Sequence, residues 1–151
     1  MLRTACWRAS LASWATSNAE PALILTPPAQ PTEDDDGLLT ASEVTQLKLD
    51  ADWVVLSACN TAAGGGDLNS EALSGLACAF FYAGGRALLV SHWAVDSQAT
   101  VSLVTGAFEA LKGGPSIGRA EALRQSMDQQ RRRNAHPANW APFAVVGEGA
   151  Q

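Results

Sequence analysis

The sequence offers little that a metal, a membrane or a nucleic acid would recognise. Its three cysteines, Cys6, Cys59 and Cys78, are odd in number and show neither metal-ligand spacing nor a C-x-x-C pair, which argues against a disulfide framework and a zinc site. A reducing, cytoplasmic setting is expected, with no cofactor and no metal. Histidine is scarce, with two residues, His92 and His136. No apolar stretch reaches the roughly 18 residues of a membrane helix, because Gly, Arg and Asp interrupt each run, so no membrane is expected as partner. Positive charge is in the minority, and the formal net charge is −5. Nucleic-acid binders usually carry a clustered basic face. The one basic run here, Arg131 to Arg133, is expected to meet a helix dipole and solvent, so nucleic acid is not expected as a partner either. The cluster Gly64 to Gly66 is not followed by the G-K-S/T of a phosphate loop, and Asp67 places negative charge where a phosphate would sit. Ser57 does not stand in a G-x-S-x-G turn, which removes support for a serine hydrolase.

What remains has a globular balance: of 151 residues, 47% are hydrophobic and 17% charged. Residues 1–19 hold Arg3, Arg8 and several serines but no acid. Organelle transit peptides and irregular termini share that composition, and the stretch is read as an irregular N-terminal segment without a family match. From Glu20 onward the pattern becomes regular. Ala22 to Leu25 reads as a brief strand, followed by the Pro27-Pro28 turn and a polar stretch. Leu38 to Leu49 reads as a short helix with Thr40 or Ser42 as cap. Trp53 to Leu56 is a compact run without alternation, as expected of a strand covered on both faces. A helix capped by Asn69 or Ser70 follows, with Leu76, Ala77 and Phe80 at helical spacing and Gly84-Gly85 ending it. Ala87 to Ser91 is a second buried strand, so the unit is βαβ and the two strands should be parallel. Two more helices are expected, one capped by Asp96 or Ser97 and the other running from about Ser116 to Arg133. Pro142 cannot donate to a ladder, so the last strand should lie at an edge or begin at Phe143.

In parallel sheets, reactive groups gather beyond the carboxyl ends of strands. Cys59 lies just past one such end and His92 just past the next, so both should share one rim. A thiol at a strand end is nevertheless more often buried filler, Cys78 inside the apolar face of a helix is expected in the core, and a lone imidazole is more often a packing or hydrogen-bonding residue. To act as a nucleophile the thiol needs a neighbouring imidazole or a helix N-terminus, since its ordinary pKa near 8.5 leaves little thiolate at neutral pH.

The octet Val54-Val55-Leu56-Ser57-Ala58-Cys59-Asn60-Thr61 resembles the nucleophile strand of CHAT domains, relatives of caspases and separases. Ser74 to Phe80 resembles the family's next helix, Ala83 to Asp96 its following strand and turn, and His136 to Phe143 its closing strand. Glu20 to Thr26 and Gly37 to Glu43 resemble the segment between the family's histidine and cysteine. The resemblance covers about residues 20–149, read as a partial CHAT domain corresponding to the C-terminal portion of the family's fold. It implies an α/β fold, a caspase-like three-layer α/β/α sandwich with a mostly parallel sheet, incomplete here. It also implies peptide-bond hydrolysis by a Cys–His dyad with Cys59 as nucleophile and a protein or peptide as substrate.

Family members take their base from an upstream His-Gly pair, whose glycine N–H helps bind the oxyanion. Where that pair is expected, this chain reads Thr4-Ala5-Cys6-Trp7. His92 is left as a neighbour of the thiol or a substitute base. The resemblance places Trp93 and Asp96 beside the pocket for the substrate residue before the scissile bond, while Asp96 is equally suited to cap a helix. It makes His136 a structural residue. The expectation is a truncated peptidase-like chain, weakly active or inactive. The alternative is a non-catalytic interaction module or degenerate fragment, with self-association or a partner that supplies the missing half.

Overall fold

A computed structural model describes residues 20–32, 35–56, 72–93, 96–114, 116–134 and 136–149. The elements run β1 (Ala22–Ile24), β2 (Leu38–Thr40), α1 (Ala41–Gln46), β3 (Val54–Leu56), α2 (Ala72–Tyr82), β4 (Ala87–Ser91), α3 (Ser97–Lys112), α4 (Arg119–Arg133), a single 3-10 turn (Pro137–Asn139) and β5 (Phe143–Gly147). The βαβ expectation holds: β3 and β4 are parallel, with Leu56 opposite Val90. The stretch expected to be one helix from Leu38 begins instead as β2, paired antiparallel with β1. Thr40 ends that strand and caps α1 through a capping box with Glu43, which fixes where strand gives way to helix.

Burial explains why β4 is the axis of the molecule. All five of its residues are buried. Successive side chains point to opposite faces of a sheet, and the two cores follow that alternation. Leu88 and Val90 join Val54, Leu56 and residues of α1 and α2 such as Val44, Leu76 and Phe80. Leu89 joins Leu103 of α3, Leu123 of α4 and Phe143 of β5. A helical layer thus packs against each face of the sheet β3-β4-β5. A strand covered on both faces needs no polar alternation, which is why Ala87 to Ser91 was legible as a run. Burying each of Leu88, Leu89 and Val90 contributes about 1.5–3 kcal/mol.

The sheet is mixed, which corrects the expectation of a mostly parallel one. Among the described strands the β1–β2 and β4–β5 pairs are antiparallel and β3–β4 alone is parallel. The reason lies in the α3–α4 pair. Two successive helices between β4 and β5 return the chain to the rim it left, so β5 can only run back down. The helices approach closely where Gly106 faces Ser126, since a Cβ on Gly106 would stand 2.6 Å from the Ser126 hydroxyl. That hydroxyl donates to the Leu103 carbonyl at 2.7 Å. At the end of β5, Gly147 has φ +97° and sits against the Arg86 carbonyl and the Phe81 ring, which requires glycine.

Candidate functional site

The carboxyl rim of the sheet is built from the end of β4, the start of α3 and the approach to β5. Ser91 is the last buried residue of β4, and the chain then emerges: His92 is exposed and Trp93 is 39% exposed. The His92 backbone N–H donates to the Pro142 carbonyl at 2.8 Å, extending the β4–β5 ladder by one bond past Ser91 and Phe143. This bond anchors the backbone of the turn while leaving its imidazole outside. The His92 and Trp93 rings lie 6.4 Å apart, tilted by 39°.

Asp96 starts α3 on the same rim. Its Oδ1 accepts from the backbone N–H groups of Gln98 at 3.0 Å and Ala99 at 2.9 Å, so the carboxylate serves as the helix cap. The Thr100 hydroxyl closes the same turn by donating to the Asp96 carbonyl at 2.8 Å. His136 has a local duty of its own: its Nδ1 accepts from the Ala138 N–H at 3.3 Å and caps the 3-10 turn. The structure therefore brings His92, Trp93 and Asp96 to one rim. Cys59 lies outside the described residues, as do Gly64 to Gly66 and the Asn69 and Ser70 caps. Along the chain Cys59 is three residues beyond Leu56, whose register partner Val90 is two residues before His92.

Among the described residues no group of His, Cys, Asp and Glu could hold a metal ion, and no helix is long and apolar enough to cross a membrane. Cys78 is a free, exposed thiol on α2 rather than the core residue its apolar neighbours suggested. The helical period explains the difference, since Ala77, Ala79 and Phe80 are buried and Cys78 falls on the outer side. Trp53, expected to open the strand that runs to Leu56, stands just before β3. Its ring packs on Phe108 of α3 at 5.1 Å, and its buried Nε1 has no hydrogen-bond partner among the described residues.

The opposite rim is tied shut. Arg86 pairs with Asp52 at 3.2 Å, and Arg119 reaches the same carboxylate at 3.7 Å. Arg119, whose side chain is 12% exposed, also donates to the Glu148 carbonyl at 3.0 Å. Further along α4, hydrogen bonds from Arg124 and Gln125 hold the Glu121 carboxyl at about 2, well below its ordinary value. Arg131 and Arg132 lower the Asp128 carboxyl in the same way.

Over residues 7–148 the chain matches the family described as the CHAT domain. The match spans the positions of Cys59, His92, Trp93 and Asp96, and it begins within the stretch 1–19. The chain is similar to Tetratricopeptide repeat protein 28 of Mus musculus, with 31% identity over 110 residues. It is 29% identical over 110 residues to Tetratricopeptide repeat protein 28 of Homo sapiens. Each alignment covers 73% of this chain and 4% of the relative's own length. No solved structure matches the chain.

Proposed function

The chain belongs to the CHAT domain family, and from that membership we propose that it is a cysteine-peptidase-type domain of caspase-like architecture. In this reading Cys59 is the nucleophile, and His92, Trp93 and Asp96 border the site where a peptide substrate lies. The observation that carries it is the parallel register of β3 and β4, with Leu56 opposite Val90. Cys59 follows the first of these by three residues, a span of at most about 11 Å of extended chain, and His92 follows the second by two.

The chemistry is acyl transfer. The Cys59 sulfur attacks the scissile carbonyl carbon, and its proton passes to the leaving amine as the C–N bond breaks. Water then releases the acyl group, regenerating the thiol. The proton transfer needs a base, and the developing oxyanion needs donors. No His-Gly pair occurs in this sequence, and with the His136 ring capping a turn, His92 is the imidazole left for that task. Loss of a positioned base costs about 10²–10⁴-fold. Loss of one oxyanion donor costs about 10²–10³-fold more. Turnover depends on both groups, while binding of a peptide needs neither.

The second reading, a non-catalytic interaction module, is favoured by the relatives' name, since tetratricopeptide repeats mark a larger protein in which the matching region is a small part. A peptide carrying a thiol-reactive group separates the two. The peptidase-type reading expects labelling of Cys59 that is lost in Cys59→Ala, reduced in His92→Ala and unchanged in Cys78→Ala. Labelling that is absent, or that follows the exposed Cys78, leaves the interaction module.

A further inference from the structure

Half of the chain's ten Lys and Arg residues lie on α4: Arg119, Arg124, Arg131, Arg132 and Arg133. The first two are committed, Arg119 to the closed rim and Arg124 to Glu121. The other three end the helix. Arg131 and Arg132 share one carboxylate, that of Asp128, at 2.9 and 2.7 Å. Arg133 is exposed and meets no carboxylate among the described residues. Compensation of the helix dipole does not use up this charge. Three guanidiniums against one carboxylate leave an excess of two positive charges, whereas a helix C-terminus supplies only about half a negative charge.

The excess stands at the open rim, where α3 starts and α4 ends. Gln130 Nε2 donates to the Ala99 carbonyl at 3.4 Å, and Asp96, the cap of α3, lies one turn before Ala99. Arg133 lies one turn beyond Gln130 on the same side of α4, which carries it to the level of Asp96. The Asp96 carboxylate is engaged by the Gln98 and Ala99 N–H groups. Past α4 the chain turns through the exposed His136, whose Nδ1 accepts from Ala138. In its neutral form that imidazole keeps its proton on Nε2, which adds a donor to the corner. The strand that follows is tied to the His92 backbone through Pro142.

The geometry points to this corner of the open rim as a docking surface for an acidic peptide segment, whose Asp or Glu side chains meet Arg133 and its two neighbours while its backbone passes the exposed His92 and Trp93. Charge complementarity selects the class of partner. Nucleic acid fits less well, because the excess is confined to about one helical turn of roughly 5.4 Å on a chain of net charge −5. A longer polyanion would run onto acidic surface, such as that of Glu20, Asp35, Asp36 and Glu43, whereas a peptide's acidic stretch can end where the arginines end. A second copy carries the same negative net charge and is repelled. The inference does not rest on the peptidase-type reading, since docking requires no turnover.

Fluorescence anisotropy on the full chain tests it, with a labelled peptide carrying four consecutive glutamates and its lysine counterpart. The glutamate peptide should bind, more weakly as salt rises, and the lysine peptide should not. Arg133→Gln should lower the affinity about threefold, and Arg133→Lys should keep most of it. Replacing Arg131, Arg132 and Arg133 together by Gln should cost about tenfold or more. Arg124→Gln, on the same helix but with its charge answered by Glu121, should leave the affinity unchanged. A glutamate peptide that fails to bind, or that binds the triple variant as tightly as the parent chain, overturns the inference. So does a single-stranded oligonucleotide of equal charge that binds more tightly than the peptide, which assigns the arginines to nucleic acid. A dimer of the chain that the triple variant dissolves overturns it as well, by assigning them to a second copy.

Discussion

The two ends of β4 differ in the way their polar groups are used. At its start, Arg86, Asp52, Arg119 and the Glu148 carbonyl bind one another and join the approach to β3, the first turn of α4 and the end of β5. At its finish, the backbone of His92 is held by Pro142 while the side chains of His92 and Trp93 face outward. The first end spends its polar groups on internal closure. The second keeps the backbone fixed and the side chains available, which is the arrangement expected of a site that meets a ligand. The capping by Asp96 belongs to the same scheme, because it orders the helix start that frames the open rim.

The largest expected effect falls on the closed rim. Arg119→Ala removes a nearly buried guanidinium that holds Glu148 and Asp52, and should destabilise the fold by about 1.5–3 kcal/mol in denaturant titrations. A loss indistinguishable from zero would erase the contrast between the two ends. The open rim should respond less: Asp96→Ala should lower stability by about 1 kcal/mol through loss of the α3 cap, and Asp96→Asn should recover most of it. Failure of Asn to recover it would show that the carboxylate's charge, and not its capping geometry, holds the turn.

The smallest effect is electrostatic. Glu121 titrates at about 2 in the folded chain, below its value of about 4.5 unfolded. A depressed folded value contributes stability above the unfolded value and loses it as pH falls through the folded one. The difference in melting temperature between the parent chain and Glu121→Gln should therefore shrink from about pH 4.5 downward and vanish near pH 2. The effect should also fade in high salt, since the pair is solvent-exposed. A difference that grows on acidification would contradict the Arg124 and Gln125 contacts.

Much of the frame was legible because local chemistry dictated it. Ala87 to Ser91 read as a strand, and Asp96 as a helix start, from residue types whose backbone preferences do not depend on distant contacts. Leu38 to Thr40 was misread because a short apolar stretch ahead of a capping residue can join either element. Only pairing with β1 decided for a strand. Cys78 was misread because an almost wholly apolar helix hides which side faces the sheet.

The sequence by itself determined that a strand would be buried on both faces, that a capped helix would follow it, and which family the chain resembles, since residue types, caps and motifs are properties of neighbours along the chain. Only the tertiary structure decided that β5 runs against β4, that His92 stands outside while Ser91 is buried, and that Arg119 closes the opposite rim. Those outcomes depend on how many times the chain reverses between β4 and β5 and on which residues meet across the sheet, and no local pattern encodes either.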